Sequence, residues 1–196
     1  MTYMTRYLIL PIFFLQSCAF IDYREVPTFL LSTIWGQEEL IVDDEFTNNM
    51  EYSFIRVKIG DSYAIMTLLS SDNGVFEWVS SDQERIYTHK GRVIRTTGLT
   101  YNSKILNISE QDDIIWNDER IIKLSNPDAV LTQTIFQTES TEDGTIEISE
   151  SFITKRYKWR GVNTYLINKK NGLPIHTVQA IHPGYKKLEI NYYYKY

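Results

Sequence analysis

The chain has 196 residues, with 25 Asp and Glu residues against 20 Lys and Arg residues, and its formal net charge is −5. This length allows one domain with a proper hydrophobic core and leaves little room for two. The acidic balance argues against a nucleic-acid-binding protein, because phosphate backbones select basic surfaces. The chain is also rich in aromatic residues, with 14 Tyr, 9 Phe and 4 Trp, and these residue types favour β-strands.

The first residues read as a secretory signal rather than as part of the folded domain. Arg6 precedes an apolar run of nine residues at 7–15. The run is too short to span a bilayer, since a spanning helix needs about 20 residues. Cys18, the only cysteine, follows Ser17 directly after this run. A small residue before a cysteine at this place resembles the bacterial lipobox, so we expect cleavage before Cys18 and its acylation, with palmitate among the attached chains.

The alternative for Cys18 is a thiol buried in a core helix or a membrane helix. A disulfide framework is excluded, because a single cysteine has no intramolecular partner. Two or three acyl chains give firm membrane attachment, since each buried CH₂ contributes about 0.8 kcal/mol. Ala19 follows the cysteine, and by resemblance to the sorting rules of enterobacterial lipoproteins this predicts the outer membrane, with the domain facing the periplasm. The predicted division of the chain is a lipoprotein signal peptide at 1–17, a lipidated tether at 18–25 and a single β domain at 26–196.

Helical patterns are confined to the beginning of the predicted domain. Pro27 opens a predicted helix in which Phe29, Leu30, Ile34 and Trp35 share one face, and Gly36 ends it. A second short helix is predicted at 43–49, where acidic residues cap and charge the first turn.

From Tyr52 onward the hydrophobic period is two, because Ile55, Val57 and Ile59 alternate with basic residues. Glycine-containing turns such as Asn73-Gly74 and Lys90-Gly91 separate the following runs. The runs lie at 55–59, 63–69, 75–79, 85–89, 93–94, 104–108, 114–116, 121–124, 131–138, 145–153, 156–159, 163–168, 176–181 and 187–194. Among these fourteen runs we expect about ten short strands, which predict an all-β fold, an antiparallel sheet forming an open barrel or a sandwich, with short N-terminal helices.

The stretch 76–99 carries the candidate contact residues. Aromatic faces stack on sugar rings, and guanidinium groups hold hydroxyls or acidic sugars in a fixed geometry. The candidates for contact with a glycan or a partner protein are Trp78, Tyr87, Arg92 and Arg95. Arg92 and Arg95 lie three apart and therefore point to opposite faces of one strand unless a bulge intervenes. One of them is then an internal partner for an acidic residue, and Trp78 has a core position as its alternative.

Two glycines in the same stretch are predicted to be fixed backbone points of the sheet. Gly91 belongs to a two-residue turn, and Gly98 ends the strand that follows. Glycine takes positive φ without a steric penalty, which such positions require.

The sequence favours no catalytic or metal site. His176 and His182 lie six apart, which fits no common zinc spacing, and no second cysteine is available. A carboxylate pair for glycoside hydrolysis stays open, but most of the candidates lie in predicted turns, where Asp is expected for its own hydrogen bonds. These candidates are Glu77, Asp82, Glu84, Asp112, Asp113 and Asp118. We therefore predict no metal, no cofactor and no enzymatic activity.

Short motifs over 35–99 are similar to those of the YjbF/GfcB family of lipoproteins. They read YSF at 52–54, VKIGD at 57–61, AIM at 64–66, EWVSSD at 77–82, GRVIRT at 91–96 and GL at 98–99. Downstream the likeness thins to Asn171-Gly172, Gln179 and Pro183. The resemblance implies a periplasm-facing, mostly β lipoprotein associated with exopolysaccharide and group 4 capsule production, and it implies no catalytic residue.

Together these observations predict an outer-membrane lipoprotein that is a non-enzymatic accessory of exopolysaccharide or capsule export. It would bind the glycan or another protein of an export operon. One alternative is a periplasmic carbohydrate-active enzyme. A second is a carrier of a lipidic ligand in an open β-barrel, by fold analogy alone, which would need a continuous apolar cavity on the inner strand faces.

Overall fold

The computed structural model describes residues 41–107 and 119–195. The predicted signal peptide, Cys18, the helix beginning at Pro27 and the run at 114–116 lie outside the described residues. In the described part of the chain, no helix has the length and hydrophobicity needed to cross a membrane.

One helix and twelve strands make up the described fold. Their bounds are α1 Asp44–Asn49, β1 Phe54–Ile59, β2 Ser62–Asp72, β3 Val75–Val79, β4 Arg85–His89, β5 Arg92–Thr97, β6 Ser103–Ile105, β7 Glu119–Leu124, β8 Ala129–Glu142, β9 Thr145–Thr154, β10 Arg160–Asn168, β11 Pro174–Gln179 and β12 Leu188–Tyr193.

Every strand pairs antiparallel with its neighbours in sequence, and β12 pairs with β1 to close the ring. The all-β antiparallel prediction is confirmed. The barrel is closed, however, because the Tyr-rich C-terminal strand pairs with β1 along its full length, from Phe54 opposite Tyr193 to Ile59 opposite Leu188. Closure pairs the backbone groups that an open sheet would leave along its edges.

The two-residue turns at Asn73-Gly74, Lys90-Gly91 and Asp143-Gly144 have positive φ at both residues, as the hairpin turn of type I′ requires. The predicted strand at 156–159 is wrong, because these residues form the turn between β9 and β10. Thr154 holds this turn: its N–H donates to the Trp159 carbonyl over 2.8 Å, and its hydroxyl accepts from the Trp159 N–H over 3.2 Å.

Helix α1 covers part of the outer surface of the barrel. Its predicted cap is confirmed, since the Asp43 carboxylate accepts a hydrogen bond of 2.8 Å from the Phe46 N–H. Phe46 packs edge-on against Phe54, which stacks on Tyr193 with ring centroids 4.6 Å apart. The outer face of β1 and β12 is therefore apolar where the helix lies.

At the end of the barrel that carries the β7–β8 turn, His182 connects two loops. Its Nδ1 accepts from the Gly184 N–H over 2.9 Å, so its Nε2 is the donor to the Ser125 carbonyl, 2.8 Å away. The ring stacks on Tyr101 at 4.9 Å. Burial lowers the pKa of His182 below its ordinary value. The imidazole is therefore a neutral connector with both nitrogens engaged.

The turn between β4 and β5 reaches across the barrel interior to β11, which is six strands from β5 in either direction around the ring. The Gly91 carbonyl accepts hydrogen bonds from Gln179 Nε2 over 2.9 Å and from the Tyr192 hydroxyl over 3.1 Å. The Val93 N–H donates to Gln179 Oε1 over 2.9 Å. The beginning of strand β5 is thus covered inside the barrel by side chains from β11 and β12. For this reason the consecutive residues Arg92 and Val93 are both buried.

Candidate functional site

Apolar side chains fill the interior beside β1 to β4 and β12. Trp78 is fully buried there, within 6 Å of the Tyr192 ring centroid, and its Nε1 donates to the Thr88 hydroxyl over 2.9 Å. The predicted contact role of Trp78 is therefore corrected in favour of its alternative. A residue with 0% exposure has no surface from which to contact a glycan.

A buried ion cluster fills the interior beside β7 to β10, and Glu150 lies at its centre. Its Oε2 accepts from Arg92 Nη2 over 2.6 Å, and its Oε1 accepts from Arg120 Nη1 over 2.9 Å and from Asn163 Nδ2 over 2.8 Å. The Arg92 guanidinium also lies over the Tyr165 ring, 4.7 Å from its centroid. The cluster links β5, β7, β9 and β10.

The two cations of this cluster keep the single carboxylate ionised. Burial alone would raise the pKa of Glu150, but the guanidinium groups of Arg92 and Arg120, with the Asn163 amide, hold it below its ordinary value of 4.5. Two guanidinium groups share one carboxylate, and all three side chains are buried. The cluster therefore joins four strands through buried contacts, and less than a tenth of either arginine side chain is exposed to a ligand.

Arg92 is accordingly an interior residue, and its predicted contact with a glycan or partner is corrected. The expectation that Arg92 and Arg95 diverge, with one of them bonded to an internal acidic residue, agrees with the structure. The β4–β5 pairing shifts register between Tyr87 and Thr88, and Arg95 remains on the outer face, where it is exposed.

Sequence reasoning did not identify the partners of Arg92. Glu150 and Phe152 occupy the inward series of β9, and Arg120 and Ile122 that of β7. A charged residue at a position that alternation assigns to the buried face of a strand could have identified them. Both strands have such a residue, and β10 has the polar residue Asn163 at a buried position.

The outer face of β4 to β7 carries a row of cations at cross-strand neighbouring positions. Tyr87 is opposite Arg95, Arg95 is opposite Lys104, and Lys104 is opposite Lys123. Arg95, Lys104 and Lys123 are all exposed. We call these three cations, with Tyr87 at their end, the basic row.

Tyr87 is held in place by hydrogen bonds on the outer face. Its hydroxyl donates to Glu77 Oε1 over 3.0 Å, and Arg85 Nη1 donates to the same oxygen over 2.6 Å. Partial burial would raise the pKa of Glu77, but hydrogen bonds from Tyr87, Ser70 and Arg85 lower it below its ordinary value. The Arg95 guanidinium lies over the Tyr87 ring, 5.2 Å from its centroid. The aromatic end of the row is therefore ordered before any ligand arrives.

Among the described residues, few carboxylates neutralise the row. Lys123 Nζ lies 3.7 Å from Asp128, but both side chains are more than half exposed, so the pair contributes little. Among the residues that the structure describes, no carboxylate lies within 4.0 Å of the Arg95 or Lys104 cation. Positive charge is thus concentrated here on a chain whose net charge is −5.

The two glycines predicted as fixed backbone points both have positive φ. A Cβ added to Gly91, at φ 80°, would lie 2.8 Å from Pro174 Cβ, and a Cβ added to Gly98, at φ 82°, would lie 3.0 Å from Glu84 Cα. Each position combines a conformation that favours glycine with a close approach of another segment.

Comparisons with known proteins agree on one family. The family model described as group 4 capsule polysaccharide lipoprotein gfcB, YjbF matches residues 29–129. The chain is 29% identical over 112 residues to the uncharacterized lipoprotein GfcB of Escherichia coli K12, a match that covers 56% of this chain and 52% of that protein. The chain therefore spans about half the length of the curated relative that it matches.

Among solved structures, the crystal structure of the hypothetical lipoprotein YmcC from Escherichia coli K12 is similar, with a TM-score of 0.60 and 19% sequence identity. The match covers 79% of this chain and 90% of that chain. At this identity the likeness supports the fold alone.

Proposed function

Because the chain belongs to the YjbF/GfcB family of group 4 capsule polysaccharide lipoproteins, we propose that it is a non-enzymatic accessory of exopolysaccharide or capsule production. In this proposal it is anchored to the outer membrane through Cys18 and faces the periplasm. It contacts the glycan or a partner protein of the export apparatus through Tyr87 and Arg95. The observation that carries the proposal is the Arg95 guanidinium, exposed on the outer face and lying over a Tyr87 ring that Glu77 holds in place.

The enzyme alternative gains no support from the candidate carboxylates that are described. Glu77 is bonded to Arg85, Tyr87 and Ser70 on the outer face. Glu84 accepts a hydrogen bond of 3.1 Å from the Ser80 hydroxyl within a turn, and Asp82 is exposed in the same turn. Asp112, Asp113 and Asp118 lie outside the described residues.

The carrier alternative needs a continuous apolar inner surface, but polar and charged side chains interrupt the described interior. The inner positions of β7 to β10 carry Arg120, Gln133, Glu150 and Asn163. In the other half, Trp78 and its neighbours are packed against one another with almost no exposed area. An accessory that binds through its outer surface agrees better with this filled interior.

Lipid attachment at Cys18 can be tested directly. We expect Cys18→Ala to abolish labelling of the protein by radioactive palmitate and to leave the precursor uncut, because the thiol is the acceptor of the first acyl chains. Ser17→Ala is the matched control, since it keeps a small residue before the cysteine and should be processed normally. Palmitate labelling of the Cys18→Ala protein would contradict the lipoprotein proposal.

Variants of Arg92 and Arg95 distinguish an effect on binding from an effect on folding stability. In a strain that lacks the gene, we expect Arg95→Ala to restore less surface polysaccharide than the unchanged protein, while its free energy of unfolding changes by less than about 1 kcal/mol. Arg92→Ala should lower that free energy by at least about 2 kcal/mol, because it leaves a cavity and removes a buried charged hydrogen bond. Thermal unfolding and polysaccharide assays measure the two effects. Full polysaccharide output from Arg95→Ala would exclude this surface.

A further inference from the structure

We infer that the basic row binds a linear acidic polysaccharide that lies across strands β4 to β7. This inference rests on the proposed function and deepens it, because it names the chemical class of the ligand. The site consists of Arg95, Lys104 and Lys123, with the Tyr87 ring at one end.

The spacing of the cations matches an extended polymer rather than a single small anion. Arg95, Lys104 and Lys123 lie on three adjacent strands, and neighbouring strands are about 4.8 Å apart. The three charges therefore span about 10 Å in a line perpendicular to the strands. A linear polysaccharide with charges at regular intervals can contact all three at once, whereas a single sulfate-sized anion reaches only one or two of them.

Among the described residues, the charge pattern of the row is unfavourable without a ligand. Like charges that lie directly opposite each other on neighbouring strands destabilise a sheet, and here two such pairs follow each other, Arg95 with Lys104 and Lys104 with Lys123. An anionic ligand converts this repulsion into attraction. The row is thus explained better by a ligand than by the stability of the barrel.

The chemistry at the end of the row favours an acidic sugar over a polymer of charges alone. A guanidinium group such as that of Arg95 matches the planar geometry of a carboxylate. The Arg95 guanidinium lies over the Tyr87 ring, so a sugar that bonds to the guanidinium also lies against this aromatic side chain. A uronic acid residue uses both groups, because it combines a ring with a carboxylate.

The test is titration of the purified full chain, in non-ionic detergent, with three probes. Polygalacturonate carries a carboxylate on every sugar, dextran is an uncharged polysaccharide, and polyglutamate is an anionic polymer without sugar rings. We expect binding to polygalacturonate that weakens steadily as the salt concentration rises, since exposed charges are screened. Dextran should not bind, and polyglutamate should bind at least tenfold more weakly than polygalacturonate.

Variants of the row connect the binding to these residues. Lys104→Gln and Lys123→Gln should each weaken binding to polygalacturonate about two- to fivefold, the range for an exposed charge contact. Their melting temperatures should stay equal or rise, because a like-charge neighbour is removed. The matched control is Lys58→Gln, which should leave binding unchanged. Lys58 lies on β1, away from the basic row, and its Nζ is 5.0 Å from the centroid of the Tyr63 ring on β2.

Four results would overturn the inference. Equal binding to dextran would assign a neutral glycan, and equal binding to polyglutamate would assign an acidic protein segment. Absence of binding to polygalacturonate, or an equal loss with Lys58→Gln, would remove the basic row as the site. The polysaccharide output of Arg95→Ala in cells tests the proposed function separately, because it responds to loss of either a glycan contact or a protein contact.

Discussion

Replacing Glu150 with glutamine is expected to lower the free energy of unfolding by about 3–5 kcal/mol, because removal of one partner leaves buried charges uncompensated. Arg92 and Arg120 both bond to this carboxylate at 2.6 and 2.9 Å, and each is no more than about 6% exposed. The expected fall in melting temperature is about 10 °C for a domain of this size. Equilibrium unfolding in urea at pH 7 measures the loss.

Glu147→Gln is the matched control on the same strand. Glu147 lies on the exposed outer face of β9, so the same chemical change should alter the free energy of unfolding by about 0.5 kcal/mol or less. Similar losses for the two variants would show that the cluster contributes no more than a surface charge does.

The pH dependence gives an independent measure of the Glu150 cluster. The pKa of Glu150 in the folded protein lies below its ordinary value of 4.5. The carboxylate therefore contributes stability above about pH 4.5 that is lost as the pH falls toward the folded pKa. The difference between the unchanged protein and Glu150→Gln should be constant from about pH 6 upward and should shrink below about pH 4.5. A difference that grows in acid would contradict this assignment of the charges.

Strand positions and hairpin turns follow from local features of the sequence. Val75–Val79 and Arg85–His89 were predicted with the bounds that the structure has, because alternation and the intervening turn residues act over a few positions. Closure of the barrel was not predicted. It depends on the pairing of β1 with β12, which are far apart in sequence. Leu188, Ile190 and Tyr192 form the buried series of β12, but alternation identifies the inner face of a strand and not the strand with which it pairs.

The candidate site was predictable only in part, for the same reason. Alternation placed Arg92 and Arg95 on opposite faces, but only the three-dimensional structure identifies Glu150, 58 positions along the chain, as the partner of Arg92. Lys104 and Lys123 were not singled out, because each is an ordinary exposed lysine in its own strand. They form a row with Arg95 through strand register alone, which sequence periodicity does not determine.

Gly91→Ala should lower the free energy of unfolding by about 3 kcal/mol, since it adds a steric clash in the interior to the strain of a positive φ. The new Cβ would lie 2.8 Å from Pro174 Cβ and 3.2 Å from Thr177 Cγ2. Any movement that relieves these contacts pulls the Gly91 carbonyl away from Gln179 and Tyr192. Urea unfolding again measures the effect.

Gly144→Ala separates the two causes of that loss. Gly144 has φ 77° and follows Asp143 at φ 45°, nearly the values of Gly91 and Lys90, but a Cβ there would meet nothing within 4 Å. This variant should lose only about 1 kcal/mol, the part that comes from backbone strain. The additional loss of unfolding free energy in Gly91→Ala then measures how much the contacts between the β4–β5 turn and β11 stabilise the barrel. Equal losses at the two positions would mean that the turn can withdraw from the interior without harm, and Arg92 would then no longer be held against Glu150 by the backbone that carries it.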